Sequence, residues 1–498
     1  RAYASGRVPS EPLSQTYIEL GGSVADDSSN LPMVVIDNFG QGKPDRVFDD
    51  SWLMVFEPDD SGRSRLNGIP TFSSRLGFHR RGNSSFLEND LKYQMRLELR
   101  DENDNDRNEE FLGFTANADF VMGAGYNYDR ALIRDPLAYE LQRQIGPWGP
   151  DSRYVELYVN TNGGSLSSSA EYFGVYFIGE RVEIDANRID IQKMSPNDNS
   201  GEALTGGYLF AHNTRNPGDF WWSTSRNHGP FKRGEPDDDV ITGAQDRYLR
   251  GYLQDMENAA YSANFKDPEL GFRAFMDTSS FIDHHLMRFM VGEPQGLIVS
   301  EHYYKDRNGK LKLGPIWDSD RAFGNEDENT HAFPQPTGYH VYLTQEYWSR
   351  FFRDEDFAQQ WVERYWELRQ NVFNTTNFNM VIDSLAEQIT EAQVRNFQRW
   401  TAFPPNGGAY SGGLGGWQGE VAHIKGWLAA RLDWIDSELL DPVTLTAAVG
   451  TSSPVEVTLS GSEGIIYYTL DGSDPRLSGG QLNPEAIRYT GGTIEISE

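Results

Sequence analysis

The stretch KDRNGKLKLGPIWDSDRAFGN, residues 305–325, decides how the rest of the chain is read. It holds Asn308-Gly309 between two β-type runs, EHYYKD and KLKLGPIW. That pair is a strong hairpin signal, because both residues accept the positive φ angles of a tight turn. The second strand runs out into Asp318 and Asp320. In an extended segment side chains alternate, so the two carboxylates point to one side. Like charges held that close repel, and burial makes the repulsion worse. A hard divalent cation resolves the conflict, and so does a solvated turn or pairing with Arg321. Spacing alone leaves these readings open.

The 498 residues are too many for one ordinary core and predict two or three domains. Acidic residues outnumber basic ones 74 to 44, for a formal net charge of −30. That sign argues against a nucleic-acid partner and suits an extracellular or salty setting. With no cysteine in the chain, disulfides, zinc-thiolate sites and thiol catalysis are excluded. No apolar run approaches the roughly 20 residues that span a bilayer, so no membrane span is expected.

Residues 1–28 read as a polar lead-in. PMVVIDNFG, SWLMVFEP and YQMRLELR read as strands. DENDNDRNEE (101–110) begins like a calcium loop, but Asp106 stands at the glycine position and Leu112 at the glutamate position, so a solvated turn is expected. YDRALIRDPLAYELQRQI (128–145) carries Leu132, Leu137, Leu141 and Ile145 at helical spacing. Two strands, RYVELYVN and FGVYFIGERVEI, flank a Gly/Ser hairpin loop. Trp221 and Trp222 form either a sugar-stacking platform or buried packing. Helical periodicity then dominates, with Phe357, Trp361, Tyr365 and Leu368 facing a core. A final helix follows through Ile424, Trp427, Leu428, Arg431 and Ile435. After Asp441-Pro442 the composition turns Thr/Ser/Val-rich, predicting a small separate β domain.

Taken in order, RRGNSS, KYQMRLEL, YDRALIRDPLAYEL, FGVYFIGERVE, GGYLF, the quoted hairpin and GWLAARLDWIDSEL resemble the spore coat protein H-like (CotH) kinases, over about residues 75–440. The tail segment IIYYTLDGSDPR resembles the Ig-like C-terminal module of chitobiase and hexosaminidase enzymes. The closing strand expected after GGTIEI is missing, which predicts a truncated module.

The resemblance implies an α+β, atypical protein-kinase-like fold over 29–440, β-rich at the N-terminal side and helical at the C-terminal side. A partial β-sandwich over 441–498 follows. It also implies ATP and Mg²⁺ as cofactors, serine on protein partners as the acceptor, and a bacterial exported protein, extracellular or in the envelope. Asp318, Asp320 and Asn325 become metal ligands, with Asp318 also catalytic. Arg81 and the RRGNSS amides become phosphate contacts. Lys92 and Arg96, at i and i+4 on one strand face, stand in for the lysine a kinase aims at phosphates. The family commonly has a further lysine where this chain has Glu98. Arg321 either grips phosphate or neutralises the aspartates. Glu180 helps bind nucleotide, or pairs with Arg181 or Arg188. Asp129, Arg130 and Arg134 read as structural ion pairing at a helix start. Where the family resemblance places a catalytic aspartate, this chain has Gln295. Glu293 is the substitute, with Glu301 or His302 as alternatives. Two other readings stand beside the kinase: a non-catalytic kinase-like module with a cell-surface partner, and a carbohydrate-active protein acting on polysaccharide.

Overall fold

The computed structural model describes all residues except 11, 83–85, 87–90, 126–127, 216–219, 294, 326–334, 339, 448–454 and 497–498. Its N-terminal half is built on seven strands: β1 (Met33–Asp37), β2 (Asp49–Phe56), β3 (Phe72–Arg80), β4 (Met95–Arg100), β5 (Asp119–Gly123), β6 (Ser152–Asn160) and β7 (Tyr172–Glu180). They close into a barrel in the order β1-β2-β3-β4-β5-β7-β6. All pairs are antiparallel except β1 with β6, the seam, where Met33 stands opposite Glu156. Alternate residues such as Val34, Ile36, Leu53, Val55, Leu97, Leu99, Phe120 and Tyr176 fill the interior. The other faces of β1 and β2 are covered too, with Met33, Val35, Trp52 and Met54 packed against Val24 and Leu166. Burial on both faces explains why those strands read as continuous apolar runs.

Helix α1 (Arg134–Ile145) joins β5 to β6. The periodicity predicts a start near 128, and the structure moves it to 134. The Asp129 carboxylate accepts the N–H groups of Ala131, Leu132 and Arg134, so a capped turn replaces the first helical turn.

A second sheet follows, of β8 (Tyr208–His212), β9 (Trp221–Trp222), β10 (Phe231–Glu235), β11 (Glu301–Lys305) and β12 (Lys312–Leu313), in the order β9-β10-β8-β11-β12. The β11–β12 hairpin forms where Asn308-Gly309 predicts it, with Asn308 at φ +53°. Trp221 and Trp222 are adjacent on β9, so one side chain is exposed under the Arg215 guanidinium and the other is buried. They do not form a shared platform.

The helical part comprises α2 (Gly243–Ala260), α3 (Thr278–Val291), two short helical stretches (His340–Thr344 and Trp348–Phe351), α4 (Glu355–Asn371), α5 (Thr375–Ile389), α6 (Ala392–Arg399) and α7 (Gly416–Glu438). The predicted stripe Phe357, Trp361, Tyr365 and Leu368 is the buried face of α4. The α6 side chain Asn396 accepts the Val175 N–H at 3.1 Å and ties the helices to the barrel. Among the described residues no helix is long and apolar enough to cross a membrane.

Trp427 of α7 packs against Gly324, whose φ is +68°. A Cβ there would stand 2.1 Å from the indole Cδ1, so neither the backbone angle nor the space admits a side chain. Gly324→Ala is expected to cost about 2–4 kcal/mol, from overpacking plus left-handed strain, read as a lower denaturation midpoint in urea.

The tail has β13 (Thr444–Ala447), β14 (Val455–Ser460), β15 (Tyr467–Tyr468), β16 (Ile487–Arg488) and β17 (Ile494–Ile496), paired as β13-β14-β17 and β15-β16. It is fastened to the first turn of α4. The Asp356 carboxylate accepts from Ser478 Oγ at 2.5 Å and from the Gly479 N–H at 2.9 Å, and it pairs with Arg476 at 2.7 Å.

Candidate active site

The segment after β12 does not continue as a strand. β12 ends at Leu313, and Asp318 has φ +61°, so the pleat expected to put Asp318 and Asp320 on one side is broken. The loop is instead pinned almost residue by residue. Arg288 of α3 donates to the Trp317 carbonyl at 2.8 Å and to Ser319 Oγ at 3.4 Å. The Ser319 N–H donates to Asp135 of α1 at 2.6 Å, and Arg134 Nε donates to the Ala322 carbonyl at 3.0 Å. The Phe323 N–H reaches the Val291 carbonyl at 2.7 Å, and His423 of α7 lies 2.7 Å from the Gly324 carbonyl. Asn325 Nδ2 donates to the carbonyls of Tyr128 and Asp320. Three rigid helices thus fix the loop before any ligand arrives.

Four carboxyl groups gather around it. Asp318 is exposed, and its Oδ2 accepts from Ser300 Oγ at 3.0 Å. Asp320 is half-buried, and burial together with Asp318, Asp135 and Glu293 pushes its carboxyl well above the usual range. Asp135 is pushed up to about 7 by burial and by Asp318. Glu293 is buried and pushed up to about 8 by burial, with Arg288 opposing and Asp318 reinforcing. Its Oε2 has no hydrogen-bond partner among the described residues. Such a set attracts protons or cations, and it is the arrangement expected at sites that do chemistry.

Two guanidinium groups face the carboxyls. Arg81 lies 5.3 Å from the Trp317 ring centroid, Trp317 stacks on Tyr139 at 5.6 Å, and the Arg81 charge acts on both Asp318 and Asp135. Arg321 sits 4.1 Å over the Tyr128 ring and draws down both Asp320 and Glu293. Among the described residues no three His, Asp or Glu side chains converge closely enough to hold a metal by themselves.

Compared with known protein families, residues 78–435 match the one described as CotH kinase protein. The chain belongs to the CotH kinase family. No curated protein matches it.

In this CotH chain Arg81, Glu293, Asp318, Asp320, Arg321 and Asn325 come together, whereas Lys92, Arg96 and Glu180 do not join them. β4 begins only at Met95, so the i, i+4 argument that puts Lys92 and Arg96 on one face fails. Lys92 is fully buried and donates to the carbonyls of Ala124 and Val175, two residues that line a small cavity together with Asp135 and Asp320. Arg96 pairs with Asp119 at 2.8 Å on the other face of β4. Glu180 accepts the Asp151 N–H at 2.9 Å and pairs with neither Arg181 nor Arg188, which both bind Glu183. Glu301 is occupied by Arg288 and His284, so it is not a spare base. Asn83 to Ser85 of RRGNSS lie outside the described residues. Asp129 and Arg134 pair at 2.8 Å, as the sequence predicts.

Burial holds the Lys92 ammonium down at about 7, against about 10.4 for lysine in an unfolded chain. Between those values the unfolded chain binds the extra proton, so stability rises with pH from about 7 to about 10. Lys92→Met is expected to flatten that slope in a series of thermal melts.

The residue that sequence reading missed is Asp135. A helix read over 128–145 places it in the interior, with nothing to set it apart. Only its bond to Ser319, 184 positions away, brings it to the site.

Proposed function

We propose that this CotH protein is an atypical, ATP- and Mg²⁺-dependent protein serine kinase of the bacterial envelope or exterior. The observation that carries the reading is the gathering of Asp318, Asp320, Asp135 and Glu293 opposite Arg81 and Arg321 around one pinned loop. Mg²⁺ usually takes only one or two carboxylates and completes its shell with phosphate and water oxygens, which suits an exposed Asp318 beside Asp320. Asn325 spends its amide nitrogen on the Tyr128 and Asp320 carbonyls, so its side-chain oxygen is the atom it can offer. When bound, the metal supplies charge neutralisation on the phosphates.

Arg81 and Arg321 offset the phosphate charge that remains. The serine oxygen forms its bond to the γ-phosphorus as the bond to the β-phosphate oxygen breaks, and the hydroxyl proton passes to a carboxylate. Glu293 is our candidate acceptor, because Gln295 has no proton-accepting carboxylate and Glu293 carries a partnerless oxygen. A kinase-like arrangement of barrel and helices, and a tail of the chitobiase Ig-like type, belong to the same proposal.

The test is transfer of γ-labelled phosphate from ATP to serine in a serine-rich acceptor protein. Glu293→Gln is expected to lower the rate on the order of 100-fold or more while nucleotide still binds. Binding without any transfer would favour the second reading, a kinase-like surface module, for which Gln295 speaks.

A further inference from the structure

A second cleft, of about 410 Å³, opens between the end of α1, residues 188–191, the start of α3 and the β11–β12 hairpin. None of the carboxylates or arginines gathered around Asp318 lines it. Its volume lies in the range of small-ligand sites.

Two buried polar side chains in its wall have unfinished hydrogen bonding. Gln142 is 3% exposed, and its Oε1 meets no donor among the described residues. His284 is 2% exposed, and its Nε2 faces the Glu301 carboxylate, which Arg288 also approaches at 2.7 Å. A carboxylate flanked by a guanidinium is ionised and can only accept, so Nε2 carries the ring proton. The other ring nitrogen, Nδ1, also has no partner among the described residues. It lies 3.6 Å from where a Cβ on Gly314 would stand, and Gly314 is itself a wall residue. Trp148 and Tyr304 supply aromatic surface, and Lys312 and Asp190 stand exposed at the rim without an ion pair among the described residues.

We propose that this cleft binds a saccharide. A hydroxyl both donates and accepts, so one ligand satisfies Gln142 Oε1, His284 Nδ1 and both signs of charge at the rim. The apolar faces of a sugar ring pack on Trp148 and Tyr304. A phosphate would find Lys310, Lys312 and the already paired Arg188 and Arg307, but would also meet Gln142 Oε1 and the carboxylates of Asp190, Asp283 and Asp306, which repel it. The site is separate from Asp318, so it stands whether or not the kinase reading does.

Saturation-transfer NMR on the whole chain, with cellotetraose and chitotetraose as probes and no nucleotide or metal, tests it. Transfer to the protons of at least one sugar is expected. Gln142→Leu and Trp148→Ala should each weaken binding about tenfold, the effect of losing one well-placed contact. Trp148 is only half-buried, and Lys312→Ala, at an exposed position, gives a milder variant that keeps the fold; it should weaken binding less. Thermal melts of all three variants check that the fold is kept. The proposal is overturned if neither sugar shows transfer at about 10 mM. It is equally overturned if the variants bind as well as the parent, or if an extended serine- and glutamate-bearing peptide occupies the cleft while the sugars do not.

Discussion

Asp318→Ala is expected to abolish Mg²⁺-dependent ATP binding in calorimetric titration while leaving the melting temperature within a few degrees of the parent. Asp318 is exposed and accepts a single hydrogen bond, from Ser300 Oγ, among the described residues, so the fold loses little when it goes. The site loses much more. With one or two carboxylates holding a cation, deleting one costs on the order of 100-fold or more in affinity, since even outer-shell partners are worth 10–100-fold. Metal binding also requires deprotonated ligands. Burial and the neighbouring carboxylates push Asp320 well up, so affinity should rise with pH as that group gives up its proton. If Asp318→Ala binds the magnesium nucleotide like the parent, Asp318 is not a ligand. If the parent itself does not bind millimolar ATP, the kinase reading is lost.

The second large effect belongs to Arg288. This arginine and its partner Glu301 are both fully buried, and His284 bonds the other Glu301 oxygen. Burial alone would raise Glu301, but Arg288 and His284 together hold it down at about 2. Arg288→Met leaves that carboxylate in a dry interior without its main counter-charge, for an expected loss of about 3–5 kcal/mol in urea unfolding. Arg288→Met/Glu301→Leu, which removes both charges, should recover most of the loss, because a buried pair is often no better than its apolar replacement. The double variant also separates stability from positioning. It lacks the bond to the Trp317 carbonyl, so it should fold yet bind the magnesium nucleotide more weakly. A single variant that loses less than about 1 kcal/mol would show that the charge at Glu301 is not what Arg288 holds in place.

Local signals carried much of the architecture in the sequence. Asn308-Gly309 announced its hairpin through turn chemistry, and the Phe357-to-Leu368 stripe announced α4 through its period. Barrel closure was not legible, because β1 and β6 meet in parallel across four intervening strands and neither sequence names the other. At the site, Asp318, Asp320 and Arg81 stood in recognisable segments. Asp135 and Arg288 act through tertiary bonds to a loop far along the chain, and no local pattern marks such a bond. The strand-face argument for Lys92 and Arg96 is lost for a different reason: periodicity assumed a strand that starts three residues later.

The Asp356 fastening has a consequence for reach. Burial would raise that carboxyl, yet the bonds from Ser478, Gly479 and Arg476 hold it at about 2. The contribution is therefore present above the ordinary aspartate range and fades only as pH falls through about 2. Mild acid does not unlatch the tail. While the latch is shut, the tail keeps a set distance and bearing from Asp318; with the latch cut, the bond from Trp366 Nε1 to the Leu440 carbonyl still steadies the join between α7 and β13.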